Sequence, residues 1–223
     1  MISVIIPAYN NSALTLNCLG DVIKTCGVEY EVLLVDDCST EPVYRVIPKL
    51  FRDVKVLRND TNVGFIKSVN AGLRQAKGDY LLLLNNDLRI SDPGWLIRLL
   101  GGTTTRGLDL SSVAGGVLDA DLNYVPGETK TETGEFSYLV GWCLLFSRQV
   151  YETLGPLDEI FGVGLFDDAD YSFRARAAGF KLGIIEGVGL THLYHQTFLK
   201  SGYNITEQYL KNREIFVRKH GRK

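Results

Sequence analysis

Asp79-Tyr80-Leu81-Leu82-Leu83-Leu84-Asn85-Asn86-Asp87-Leu88 is the stretch that decides the fold. Five apolar residues, Tyr80 to Leu84, run without a break into two amides and a carboxylate. A run this short and this apolar predicts a strand buried on both faces, with its carboxyl end emerging at the rim of a sheet. Open α/β sheets take their ligands at that rim. A carboxylate at position 87 suits a hard divalent cation, and Asn85 and Asn86 beside it can hydrogen-bond a sugar or ribose. An Asn-Asn-Asp turn that merely caps the strand is the competing local explanation.

Outward toward the amino end, the pattern repeats as strand, turn and helix. Phe65 to Ala76 reads as an amphipathic helix, on which Lys67, Asn70 and Arg74 share a polar face, with Gly78 ending it. Val54 to Arg58 is an edge-like strand. Glu31 to Val35 is a buried one that ends in Asp36-Asp37-Cys38-Ser39, where two adjacent carboxylates need a cation or hydrogen-bond donors nearby. Ile2 to Ala8 is the first strand, closed by Pro7-Ala8-Tyr9, with Asn11 or Ser12 as N-cap of a helix carrying Leu19, Val22, Ile23 and Cys26. Alternating units of this kind predict an α/β fold with a mostly parallel sheet flanked by helices.

Toward the carboxyl end, Ser91-Asp92-Pro93 predicts a helix start, and Trp95, Leu96, Leu99 and Leu100 supply its apolar face. Residues 101–134 show little periodicity, with a strand over Ser112–Val117. Phe136–Phe146 reads as a strand, Arg148–Leu154 as a short helix ending at Gly155, and Leu182–Ile185 as a strand. Between them, Phe166-Asp167-Asp168-Ala169-Asp170-Tyr171 opens a helix closed by Gly179. Asp at a helix N-terminus is stabilised by the unpaired amides and the dipole, but one cap accounts for one Asp, not three, and a general-base carboxylate is the alternative role. His192 and His195 follow, each a candidate cation ligand, and a helix spans about 206–219.

The 223 residues are 45% hydrophobic and 22% charged, which suits one sizeable globular domain. Its expected parts are a nucleotide-binding half over about 1–100, an acceptor and catalytic half over about 101–200, and a C-terminal helix over 201–223. A formal charge of −2 argues against nucleic acid as a partner. The basic end (Lys211, Arg213, Arg218, Lys219, His220, Arg222, Lys223) is expected to be a solvated helix face, and it leaves a peripheral membrane contact open. No segment approaches the roughly 18 apolar residues of a membrane span, and Met1 leads into a strand without a basic signal region. Cys18, Cys26, Cys38 and Cys143 lack metal-ligand spacing and are expected to be small core residues of a reduced, cytoplasmic protein. A nicotinamide-dependent dehydrogenase would place glycines after the first strand, where this chain has Pro7 to Asn10, and no glycine-rich basic loop of a nucleotidyltransferase is present either.

Several motifs in order carry a family resemblance. They are Pro7-Ala8-Tyr9-Asn10, Asp36-Asp37-Cys38-Ser39, Asn62-Val63-Gly64 with Asn70-Ala71-Gly72, Leu83 to Asp87, Gly155 to Glu159, and Phe166 to Arg174. Together they resemble the family 2 inverting glycosyltransferases of the GT-A, Rossmann-like fold, over residues 2 to about 200. The resemblance implies a nucleotide-sugar donor bound by Pro7, Ala8, Tyr9, Asp36 and Asp37, with Lys67 and Asn86 added to the donor side. It implies that Asn85 and Asp87 occupy the DXD positions, with Asp87 and His192 holding Mn²⁺ or Mg²⁺ and His195 competing for the second role. Asp168, with Asp167 where the family has Glu, becomes the base that activates a hydroxyl of a glycan or glycoconjugate acceptor in a single displacement that inverts the anomeric carbon. The Leu-Asn-Asn-Asp form resembles the rhamnosyltransferase-like subgroup, which implies a UDP- or dTDP-deoxyhexose. The competing function is a GT-A-like binding module without catalysis.

Overall fold

The computed structural model describes residues 1–127, 129–130, 134–193 and 204–221. The amino-terminal half alternates strictly: β1 (Ile2–Ala8), α1 (Ser12–Val22), β2 (Tyr30–Asp36), α2 (Val43–Leu50), β3 (Val54–Arg58), α3 (Phe65–Gln75) and β4 (Tyr80–Leu84). There follow β5 (Leu88–Ile90), α4 (Trp95–Thr105), β6 (Leu110–Ser112), β7 (Gly115–Gly116), β8 (Tyr138–Leu139), β9 (Cys143–Ser147) and α5 (Arg148–Leu154). A 3₁₀ turn, Glu159–Phe161, leads to α6 (Asp167–Ala177), β10 (Leu182–Ile184) and β11 (Leu190–His192), and the last helix is α7 (Ile205–His220).

Seven strands form one sheet in the order β10-β6-β9-β4-β1-β2-β3. All its pairings are parallel except those of β9, which runs antiparallel to both β4 and β6. The side-chain alternation of a strand splits β1 between two cores. Ile2, Val4 and Ile6 pack with Leu19, Trp95 and Leu96 on one face, while Ile5 packs with Ile66, Leu73 and Tyr171 on the other. Burial on both faces is what the apolar runs of β1, β2 and β4 require. Helix α3 lies so close to β1 that a Cβ on Gly72 would stand 2.5 Å from Ile5 Cγ2.

Several local expectations need correction. The α1 helix ends at Val22, leaving Ile23 48% exposed and Cys26 outside the core. Neither Asn11 nor Ser12 caps it through a side chain; the Glu41 carboxylate, from the next loop, accepts the Asn11 and Ser12 amides instead. Asp92 caps the turn before α4 through the Gly94 amide, so this helix begins at Trp95, two residues after Pro93. It runs on through Thr103–Thr105, because the Thr103 hydroxyl is satisfied inside by Leu99 O and Ser111 Oγ. The expected strand Ser112–Val117 breaks into β6 and β7, and Phe136–Phe146 breaks into β8 and β9. The glycines of β7 explain the first break: they pair with β8 as a separate ribbon, and a Cβ on Gly116 would collide with the Tyr138 ring. Asn70 is fully buried between Lys67 and Arg74, which are exposed, so these three residues do not form one solvated face. Its amide is bonded to both main-chain groups of Leu157.

Candidate active site

Strands β1, β2 and β4 deliver their carboxyl ends to one cavity of about 380 Å³. Pro7, Ala8 and Tyr9 line it from β1, Asp37 from the end of β2, and Asn85, Asn86 and Asp87 from the end of β4. A second group of lining residues comes from the later chain: Tyr124, Tyr138, Trp142, His192, and the pair Asp167 and Asp168. Of the residues singled out in the sequence, Asp36 and Lys67 are not part of this wall.

The two acids at the end of β2 have different fates. Asp36 is fully buried; the Arg58 guanidinium, directly across the β2–β3 register, pairs with its Oδ2, and Ser39 N–H donates to its Oδ1 at 3.1 Å. Asp37, one residue on, faces the cavity and accepts the Val63 and Gly64 amides at 2.9 and 2.8 Å and the Asn59 side-chain amide at 2.9 Å. That network pins the loop ahead of α3 to the sheet rim. Asn86 donates to Thr15 Oγ1 at 2.9 Å, which ties the β4 exit to α1.

Asp87 and His192 are brought together by the small antiparallel pair β5–β11, in which His192 sits opposite Leu88. His192 Nε2 lies 3.0 Å from Asp87 Oδ1, and Asp87 O accepts the Leu193 amide at 3.0 Å. Trp142 stacks on the imidazole, with ring centroids 4.9 Å apart and 15° between planes. His195 lies outside the described residues. Among the described residues no three His, Cys, Asp or Glu converge on a point. A cation here would be held by the Asp87 carboxylate and the His192 imidazole. That donor set fits a divalent metal, and the nitrogen favours Mn²⁺ over the oxygen-seeking Mg²⁺.

The acidic segment also divides by role. Asp168 Oδ2 accepts the Gly141 amide at 3.0 Å and Oδ1 accepts the Ala169 amide at 2.8 Å. Gly141 approaches closely there: a Cβ on it would stand 3.1 Å from Asp168 Cβ and would press on that side chain. Burial pushes both Asp167 and Asp168 above the ordinary carboxylate range; the neighbouring Asp168 charge adds to the shift at Asp167, whereas backbone amides oppose it at Asp168. The two carboxyls titrate as one interacting pair. Asp170 points away from the cavity. Burial pushes it up too, but His220, Lys219 and Arg174 outweigh that and hold it down at about 2. The basic end of α7 is thus partly an ion-pair contact, with Lys219 also reaching Asp158, and only partly a solvated face.

Sequence reasoning missed Trp142, Tyr138, Tyr124 and Gly141 as parts of this site. Treating Phe136–Phe146 as one strand hid three of them. Gly141 in the middle of that run was the available signal, because a glycine inside a strand pattern marks a break or a close approach. Tyr124 sits in the segment of weak periodicity and carries no local mark.

An α/β sheet whose strand ends open on a cavity lined by an Asp–His pair and an Asp–Asp pair defines an α/β protein with a candidate ligand site at its sheet rim. The likenesses to known proteins narrow the class. The model of the family described as glycosyl transferase family 2 matches residues 3–155, and the chain belongs to that family. An "uncharacterized glycosyltransferase" of Haemophilus influenzae is 41% identical over 88 residues, which is 39% of this chain and 29% of that protein. A poly(ribitol-phosphate) β-N-acetylglucosaminyltransferase, TarS, of Staphylococcus aureus is 34% identical over 90 residues, 38% of this chain and 16% of that one. The match thus spans less than a third of each of these relatives. In structure, the chain is similar to a mannosyltransferase of Pyrobaculum calidifontis in complex with GDP-mannose and Mn²⁺, with a TM-score of 0.73 at 16% identity over 99% of this chain and 65% of that one. The matched family segment ends at Gly155, so the Asp167–Asp168 pair lies beyond it. Among the described residues no helix is long and apolar enough to cross a membrane.

Proposed function

We propose that this glycosyltransferase moves a sugar from a nucleoside-diphosphate donor to a hydroxyl of a glycan or glycoconjugate by a single, inverting displacement. The supporting observation is that the Asp87–His192 pair and the Asp167–Asp168 pair face one cavity. Its amino-terminal wall, Pro7 to Tyr9 with Asp37, Asn85 and Asn86, is the donor side, and residues beyond 101 supply the acceptor side. Asp36 serves the donor side indirectly, by holding the β2 exit through Arg58 and Ser39. Asp87 and His192 would hold Mn²⁺, which when bound neutralises charge growing on the diphosphate as the glycosidic bond breaks. A UDP- or dTDP-sugar, with rhamnose among the candidates, is the proposed donor. The free cysteines suit a cytoplasmic site of action.

Asp168 is the proposed base. Both its oxygens already accept a backbone N–H, which favours its ionised form, and each has a lone pair left for the acceptor proton. Asp167, buried beside it and also raised, disfavours the state in which both carboxyls are charged. The stacked Trp142 covers one face of His192 and limits water there.

The sign of the pH dependence follows. A base works only deprotonated, and burial lifts the Asp168 pKa above the ordinary value of about 3.9. Turnover should therefore rise with pH through a midpoint above that value. Release of nucleoside diphosphate from UDP-, dTDP- and GDP-sugars, followed as a function of pH, checks this; a rate that stays flat from about pH 4 to 8 counts against a carboxylate base.

A further inference from the structure

The turn that presents Asp167 and Asp168 is conformationally costly. Leu165 and Phe166, neither of them glycine, both adopt left-handed backbone conformations, with φ of 74° and 67°. Such conformations persist only where the surroundings over-determine them. The surroundings here are one face of α7, at spacings of four residues: Gln208, Asn212, Phe216 and His220.

Asn212 is fully buried, and its side-chain amide points at three main-chain carbonyls of the turn, Phe161 O at 2.7 Å, Gly164 O at 2.8 Å and Leu165 O at 2.9 Å. Gln208 fixes the orientation of that amide by donating to its oxygen at 2.9 Å, and it donates to Phe161 O as well. Phe216 packs on the Phe166 ring at 5.2 Å, and His220 bonds Asp170 at 2.7 Å. On the other side, Tyr124 stacks on Phe166 at 4.3 Å, and its hydroxyl accepts the Phe166 amide at 2.6 Å.

We propose that Asn212 and Tyr124 are positioning residues for catalysis, together holding the left-handed Leu165–Phe166 turn so that Asp168 meets the Gly141 amide and the acceptor. The inference rests on Asp168 being the base. Both residues act through the turn: Asn212 draws its carbonyls together, and Tyr124 accepts the Phe166 amide within it.

The test combines Asn212→Ala and Tyr124→Phe, each alone and each with Asp168→Asn. The substrate is whichever of UDP-, dTDP- and GDP-sugars the wild type turns over with Mn²⁺. Each single variant should lower kcat by about 10- to 100-fold with the donor KM within about threefold, the scale of a displaced catalytic group. On top of Asp168→Asn each should add less than about twofold, because residues acting through one group are not additive. Amide hydrogen exchange over residues 161–168 should be faster in both variants. Unchanged exchange, unchanged kcat in a folded variant, or a full further loss on top of Asp168→Asn overturns the proposal. If Asn212→Ala does not fold, Tyr124→Phe, which keeps the ring stack, decides alone. Failure of the base assignment itself is read separately, as full kcat in Asp168→Asn alone.

Discussion

Replacing Asp168 by asparagine is expected to lower turnover by about 10²-fold or more while donor affinity persists, the scale of a lost general base. The substitution is chosen because it is nearly isosteric. With its single oxygen turned to the Gly141 amide, asparagine keeps the contact between α6 and the β8–β9 connection and gives up the bond from the Ala169 amide. What is lost is a group able to take a proton. Steady-state kinetics with calorimetry of nucleotide binding separates this from a purely local role. Were Asp168 only a first-turn residue favoured by the helix dipole, the variant would lose about 0.3–1 kcal/mol of stability and keep its turnover. Parallel loss of turnover and donor affinity would instead mean that Asp168 shapes the donor site.

Asp87→Ala is expected to abolish the part of nucleotide affinity that depends on Mn²⁺, and to lower turnover by about 10²- to 10³-fold. The physical reason is that the imidazole of His192 alone would be a poor site for a divalent ion, whereas a carboxylate would bring the charge that offsets its desolvation. Several kcal/mol of transition-state stabilisation reside in such an ion, and each 1.36 kcal/mol is a factor of ten in rate. The Trp142 stack should keep His192 in place, so the variant tests the carboxylate and not the fold. Calorimetry of UDP with and without Mn²⁺ reads the effect; equal affinities for wild type and variant would remove Asp87 from the metal site.

The sheet was legible where a local pattern has only one physical solution. Five apolar residues ending in Asn85-Asn86-Asp87 are too short for a buried helix and too uniform for a half-exposed strand, and β4 is indeed covered on both faces. The direction of β9 was not legible, because pairing with β4 and β6 is a long-range choice that Cys143–Ser147 does not encode locally. The same holds for the pair Asp87 and His192, 105 residues apart, which meet only through the β5–β11 register. Asp36 and Asp37 show the limit most sharply. Adjacent residues of an extended segment point to opposite sides, so a motif of two acids cannot say which one turns inward to Arg58 and which faces the cavity. On α6, helical geometry divides three acids of one motif between the cavity and the ion pairs with α7.

The most direct test of the central claim is a thermal-shift screen of the chain with UDP-, dTDP- and GDP-sugars, each with and without Mn²⁺. A ligand that binds only the folded state raises its apparent stability, by about 2.7 kcal/mol at a hundredfold excess over Kd. The account predicts a shift that requires one nucleotide class and the metal together, and that disappears in Asp87→Ala. No shift with any of the nucleotide sugars, or an equal shift without the metal, would contradict it.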